Sequence, residues 1–285
     1  MKPSASVIIP MHNGAEFIRQ QLDALLVSLG GAPETEILVI DNRSTDPGPG
    51  VVKEWGTRTG APVRIVPAHD KAGEPHARNV GFQAAHSDTI LYCDADDAVS
   101  PAWISAQARA LDSARYATGP LDTHQLNDPR IVDLRGQALF KSLPELPDGT
   151  PFAHGCNIGF QRNTLEELDG FDETYLIACD IEIGVRAARA GIDLAWAPEA
   201  LVNYRLRSDF KGVYRQARAY GRSRRRIAEA LGQDPRRVDV AQQARRVGWL
   251  VRHTPGLRDF GGRMKWAWVA GQVTGELGGR LPWQR

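Results

Sequence analysis

Cysteine is scarce in this chain of 285 residues. Cys93, Cys156 and Cys179 stand far apart and odd in number, which excludes a disulfide framework and any paired CxxC zinc site and points to a reducing compartment. Nowhere do about 18 apolar residues run together, so no bilayer-spanning helix is expected. The opening MKPSASVIIP is interrupted too early, by Pro10 and then His12, to read as a secretory signal. Glycine (28) and proline (18) are too few for a collagen-like or low-complexity chain. Aromatic residues make up 7%, and without a stacking series or a recognised motif no nucleic-acid partner is expected.

Each part of the chain is short of charge of one sign. Residues 1–204 carry 16 Lys+Arg against 28 Asp+Glu, whereas residues 205–285 carry 19 against 6. An acidic body with a basic tail predicts a site that handles a cation and a surface that meets something anionic.

The first hundred residues alternate strand and helix signals. Ser6–Pro10, Glu36–Ile40, Pro62–Val66 and Thr89–Cys93 are short β-branched or apolar runs. Between them lie helical patterns: Phe17 to Leu29 closed by Gly30-Gly31, then 51–58, then Ala77–Ala85. Continuous apolar strands separated by helices predict an α/β fold with a mostly parallel sheet and helices on both faces. Ligands of such sheets sit beyond the carboxyl ends of the strands. Those ends carry Pro10-Met11-His12-Asn13, Asp41-Asn42-Arg43-Ser44 and Asp94-Ala95-Asp96-Asp97. From about 120 to 155 the pattern breaks into loop with short strands. Helical periodicity returns at Asn163–Leu168, at Asp180–Ala190 and at 205–231, where Phe210, Val213, Tyr214, Ala217, Tyr220, Ile227 and Leu231 share a face.

Three carboxylates within four residues at Asp94, Asp96 and Asp97 repel one another unless a cation neutralises them. Oxygen ligands suit Mg2+ or Mn2+; the plainer alternative is an acidic turn before the helix at Pro101. Asp41 closes the second strand, where an acid can accept hydrogen bonds from a ribose or base or simply form an Asx-turn. His69, His76 and His154 lack metal-ligand spacing and read as hydrogen-bonded loop residues. Cys93 reads as a small buried hydrophobe, and the Tyr214–Tyr220 face as packing.

The blocks SVIIPMHNG (6–14), LVIDNRSTD (38–46), ARNVGFQAA (77–85), LYCDADDAVSP (91–101), GCNIGFQRNTLEELDGFDE (155–173) and ACDIEIGVRAARAG (178–191) occur in one order. This series, spanning roughly residues 5–205, resembles glycosyltransferase family 2. The resemblance implies a GT-A fold and transfer of a sugar from a nucleotide-diphosphate donor with inversion at the anomeric carbon. It implies that Pro10 lines the nucleotide pocket, Asp41 meets the base and Arg78 lies near the ribose and diphosphate. Asp94 and Asp96 match the DxD motif, with Asp94 at the ribose or a metal-bound water, Asp96 as metal ligand and Asp97 behind them. Gly155 and Asn157 fall where the family builds the acceptor and donor-sugar wall. Asp180 matches the general base. The plainer alternative for Asp180 is a helix N-cap, ahead of an apolar face of Ile183, Val185, Ala187 and Ala188, with Glu182 the next candidate base. Two departures stand out: Cys179 replaces the acid that usually precedes the base, and Asn203-Tyr204 replaces a frequent histidine, leaving Arg205 or Arg207 to neutralise the diphosphate.

These features predict a catalytic domain over 1–205 and a basic helical extension over 206–285. The expected function is an inverting glycosyltransferase that uses Mn2+ or Mg2+ and a nucleotide-sugar donor, a UDP-sugar first. The expected acceptor is a glycan, a lipid-linked sugar or a small molecule, in cell-envelope polysaccharide synthesis. The expected location is cytoplasmic. Trp249, Leu250, Trp266, Trp268, Val269, Val273 and Trp283 in a basic segment suggest peripheral contact with the inner membrane face, or a homodimer. A nucleotidyltransferase is the competing enzyme class, but MHNGAEFI offers no Lys or Arg until Arg19 to grip a triphosphate. A non-catalytic nucleotide-sugar binding module is the other alternative, against which stand intact Asp94, Asp96 and Asp180.

Overall fold

Successive residues of β1 (Ala5–Met11) serve two different cores. Val7 and Ile9 face one side of the central sheet and Ile8 the other, the period-two alternation of a strand buried on both faces. The computed structural model describes residues 4–30, 34–135, 141–232 and 240–278.

In chain order β1 is followed by α1 (Ile18–Leu29), β2 (Thr35–Asp41), α2 (Gly48–Thr59), β3 (Val63–Pro67), α3 (Glu74–Ala84) and β4 (Thr89–Tyr92). Next come β5 (Ala98–Val99), α4 (Trp103–Ser113), β6 (Tyr116–Thr118), β7 (Leu121–Asp122) and α5 (Pro129–Arg135). Then follow β8 (Ile158–Gln161), α6 (Arg162–Glu167), α7 (Cys179–Arg189), β9 (Leu194–Trp196) and β10 (Val202–Asn203). The chain continues through α8 (Phe210–Ala230), α9 (Val240–Arg252) and α10 (Phe260–Gly278).

Seven strands form one sheet in the order β3-β2-β1-β4-β8-β6-β9. All pairs are parallel except those made by β8, which runs antiparallel to β4 and β6. A small sheet β5-β10-β7 carries the segments after the acidic loop and before Arg205. Under one face of the large sheet lie Ile18, Leu22 and Leu25 of α1, Val52 and Trp55 of α2, and Trp103 of α4. Under the other lie Ala77 of α3, Leu165 of α6 and Ile183 of α7. Gly81 lets α3 approach the strands closely, because a Cβ there would sit 2.3 Å from Ile8 and 3.0 Å from Ile40.

The chain divides into two compact units, Met1–Leu126 with Ala138–Arg205, and Asn127–Gln137 with Leu206–Arg285. Helix α5 falls where the sequence pattern suggested only loop and short strands. It belongs to the second unit, where Arg130 lies over the Phe260 ring. In that unit α8 and α10 pack through small residues. Gly271 and Gly275 face the Tyr214 and Arg218 backbone, and Gly221 faces the carbonyl of Gln272. Val213, Met264 and Ala267 form the unit's own core. Helix α8 begins at Phe210 rather than at residue 205, because Asp209 Oδ1 accepts the Gly212 N–H at 2.9 Å and so satisfies an unpaired donor of the first turn.

Candidate functional site

The loops at the carboxyl ends of β1 and β2 are stitched together by polar side chains. Asn13 Oδ1 accepts from Thr45 N at 2.7 Å and from Asp46 N at 3.2 Å, and the Ala15 N–H reaches Asp46 Oδ2 at 2.8 Å. Half-buried Pro10 lies at the end of β1. Asp41, the last residue of β2, accepts from Ser44 N at 3.0 Å, with His69 Nε2 2.8 Å from its other oxygen. Burial opposes its charge, but the bonds from Ser44 and His69 prevail and hold the carboxyl below its ordinary range.

Beyond β4, a buried glutamine sets the acidic loop. Gln21 on α1 donates to the Asp94 carbonyl at 3.0 Å and accepts from Val99 N at 3.1 Å. Nothing in the strand motifs announces this clamp, although a polar residue amid Ile18, Leu22 and Leu25 on the apolar face of α1 is a legible sign. Arg205 braces the same loop, its N–H on Asp97 Oδ1 at 2.7 Å and its Nε on the Asp96 carbonyl at 2.8 Å.

Arg78 on α3 is completely buried. Its Nη2 donates to Glu74 Oε1 and to Asp94 Oδ1, the latter at 3.3 Å, and its guanidinium lies over the rings of Tyr92 and Phe171. Burial works against its charge, yet Glu74, Asp94 and Asp180 keep it protonated. Nε and Nη1 have no hydrogen-bond partner. Gly155 supplies the space beside it, because a Cβ at that position would stand 2.7 Å from Nη2.

Asp94 keeps 31% of its side-chain surface open, yet the protein packed around it, with Glu74 nearby, outweighs Arg78 and pushes the carboxyl up to about 8. Asp97 is buried, and it too is pushed up, by burial and by Asp94 and Asp96. Asp94, Asp97 and Cys156 bring potential ligand atoms within 4.8 Å of one another, and Asp97 Oδ2 has no hydrogen-bond partner. This surplus of carboxylates with an orphaned buried oxygen fits a divalent cation. Asp96, half-buried on the same loop, lies outside that group.

Asp180 stands in the first turn of α7. The N-cap is Ala178, in the left-handed conformation with φ 64°, and makes no side-chain cap bond. Asp180 Oδ2 accepts the Gly155 N–H at 3.0 Å, and its Oδ1 accepts the Ile181 N–H at 2.9 Å. Glu182 is bound by both oxygens to Arg186, at 2.6 and 2.7 Å, and is buried. Burial pushes the Cys179 thiol up, so it stays protonated and neutral. On the apolar face of α7, Ile183, Val185 and Ala187 are buried whereas Ala188 is exposed.

Asn157 requires a correction. It is fully buried, its Oδ1 accepting from Trp103 Nε1 and Gln107 Nε2 at 2.8 Å each. Its Nδ2 donates to the carbonyls of Pro120 at 3.1 Å and Ala200 at 2.8 Å. Every polar group of the side chain is used inside the scaffold, and none is left for a donor sugar. The three histidines behave differently from ligands: His69 meets Asp41, His76 meets Asp70 and Glu173, and burial lowers His154 to about 4.

The family model described as "Glycosyl transferase family 2" matches residues 6–169, and "Glycosyl transferase family group 2" matches 89–270. The chain belongs to glycosyltransferase family 2. It is 26% identical over 234 residues to the pre-mycofactocin glycosyltransferase of Mycobacterium tuberculosis, covering 76% of this chain and 46% of that protein. An amylovoran biosynthesis glycosyltransferase of Erwinia amylovora is 24% identical over 220 residues, covering 73% of this chain and 71% of that one. The chain spans about half the length of the curated relatives it matches first. Among solved structures, a mannosyltransferase from Pyrobaculum calidifontis in complex with GDP-Man and Mn2+ superposes with a TM-score of 0.60 at 19% identity, covering 96% of this chain and 87% of that one. The likeness establishes the GT-A fold for this family 2 chain.

Proposed function

We propose that this family 2 chain is an inverting glycosyltransferase that moves a sugar from a nucleotide-diphosphate sugar to the hydroxyl of a glycan, lipid-linked or small-molecule acceptor. The observation that carries the reading is the junction at Arg78, which bonds Asp94 on one loop and abuts Gly155, whose N–H holds Asp180. Donor-handling and base-bearing segments thereby meet at one buried cation.

In this reading Pro10 and Asp41 border the nucleoside, and Asp94 faces the ribose and diphosphate. Asp180 takes the proton of the acceptor hydroxyl as it attacks the anomeric carbon opposite the leaving nucleotide. The hydrogen bond from Gly155 fixes the orientation of the carboxylate. Glu182 is less suited to that role because it is buried and both of its oxygens are paired to the Arg186 guanidinium, whereas among the described residues Asp180 is bonded only by backbone N–H groups. Asp94 and Asp96, with Asp97 behind them, would hold a divalent cation, which would supply charge neutralisation of the leaving diphosphate. Mn2+ in the Pyrobaculum mannosyltransferase complex supports that choice, with Mg2+ the other candidate. An O-antigen biosynthesis protein of Myxococcus xanthus and a minor teichoic acid biosynthesis protein of Bacillus subtilis, also similar to this chain, support an acceptor in cell-envelope polysaccharide synthesis.

The experiment is a thermal-shift panel of UDP-, GDP- and dTDP-sugars with and without Mn2+, because a ligand of the native state raises stability as RT ln(1 + [L]/Kd). One donor class is expected to stand out, only with metal. NMR of the transferred product then reads the anomeric configuration. Retention, or no shift with any nucleotide sugar, overturns the proposal.

A further inference from the structure

Helix α9 turns polar side chains inward. Buried Gln243 and half-buried Arg246 both bond Glu276 of α10, the latter through Nη1 at 2.8 Å, on the side that also carries half-buried Leu250. The outward side of α9 is apolar, with Val247 44% and Val251 70% exposed, one turn apart, and with Ala241 and Ala244 exposed on the preceding turn. Surface helices of globular proteins ordinarily show the reverse arrangement. Arg245 and Arg252 flank the strip and are exposed, Arg258 follows in the next turn, and α9 contains no acidic residue.

We propose that this face docks on the headgroup region of an anionic lipid bilayer. A shallow apolar strip flanked by arginines is what interfacial binding requires, the valines entering the acyl boundary and the guanidinium groups meeting lipid phosphates. The charge of residues 205–285, 19 basic against 6 acidic, complements such a surface. It opposes a symmetric contact with α9 of a second copy, which would set arginine against arginine. A few small side chains also fall well short of the ~1,200–2,000 Å² that a stable protein interface buries.

The described tryptophans that suggested membrane contact in the sequence have other duties, half-buried Trp249 stacking on His253. Trp266 stacks on Phe210 and donates to the Leu250 carbonyl, Trp268 packs edge-on against Tyr220, and Val273 is buried. Trp283 lies outside the described residues. The docking face therefore rests on Val247 and Val251, and it requires neither donor nor catalytic residues.

The test is flotation of the full chain with vesicles of phosphatidylcholine and phosphatidylglycerol, against vesicles of phosphatidylcholine alone. The chain is expected to float only with the anionic vesicles and to be released by high salt. Val247→Asp with Val251→Asp is expected to lower the bound fraction about tenfold or more at unchanged helicity and Tm, because both side chains are exposed. Arg245→Glu with Arg252→Glu provides an independent variant with the same expected loss. Absence of flotation at low salt overturns the proposal, as does undiminished flotation of both variants. A dimer in analytical ultracentrifugation that the valine variant dissolves, without vesicle binding, assigns the face to a second copy instead.

Discussion

The N–H of Gly155 lies 3.0 Å from Asp180 Oδ2, so the loop before β8 holds the carboxylate that α7 presents. Its Oδ1 accepts the Ile181 N–H at 2.9 Å, so Asp180 also satisfies a first-turn donor of α7, although the N-cap itself is Ala178. Asp180→Asn is expected to preserve fold and donor binding, because an amide oxygen still accepts the Gly155 N–H. Turnover should fall by about 10²–10⁴, the usual contribution of a positioned base. Steady-state kinetics beside a melting curve checks this. Near-normal turnover would place the base elsewhere.

Arg78 answers Glu74 and Asp94 from a fully buried position. Arg78→Met keeps most of the volume but leaves both carboxylates without their cation. Breaking a fully buried pair costs about 3–5 kcal/mol. Here Glu74 is 47% and Asp94 31% exposed, so solvent screening reduces the expected loss to roughly 2 kcal/mol. Urea denaturation measures it. Calorimetry with the nucleotide sugar should show weaker donor binding in the same variant.

The strand ends were legible because buried parallel strands read as unbroken apolar runs and their polar termini cluster on one edge. Asp94, Asp96 and Asp180 are proposed from the ordered motifs alone. Asn157 misled because a polar residue inside a motif looks like a ligand, while its partners Trp103, Gln107, Pro120 and Ala200 lie far away in the chain. The grouping of Asp97 with Cys156 was hidden for the same reason. The two faces of α9 were not read from the sequence, because the Glu276 that draws Arg246 inward lies 30 residues away in the chain.

Asn157→Ala separates scaffold from pocket. It strands the indole N–H of Trp103, the Gln107 amide and two carbonyls in the interior. Each unpaired buried group costs about 1–3 kcal/mol, less than additively when neighbours relax together. A loss of about 3–5 kcal/mol is expected in chemical denaturation, with donor affinity of the folded protein unchanged. Weakened donor binding at undiminished stability would return Asn157 to the pocket wall.

His76 and Glu173 predict the pH dependence of stability. The imidazole Nδ1 lies 3.0 Å from Glu173 Oε1, and Nε2 lies 2.9 Å from Asp70 Oδ1. Burial favours the neutral ring, but Glu173 and Asp70 overcome it and raise His76 above its ordinary 6.5. Burial likewise opposes the Glu173 charge, yet bonds from Lys71, His76 and Asn79 bring it down to about 2 from 4.5. A group raised on folding stabilises fully below its unfolded value and loses that contribution as pH climbs through the folded one. The His76 contribution is therefore complete below about 6.5 and fades on the alkaline side. A lowered group stabilises above its unfolded value, so the Glu173 contribution holds above about 4.5 and is lost as pH falls towards 2. The two windows overlap between roughly pH 4.5 and 6.5, where this cluster supports the fold most. His76→Gln keeps hydrogen-bonding capacity but not the charge, and should flatten the decline in Tm between pH 6.5 and 9 relative to the unmodified chain. An identical decline in the variant would remove His76 from the account and leave other titrating groups responsible.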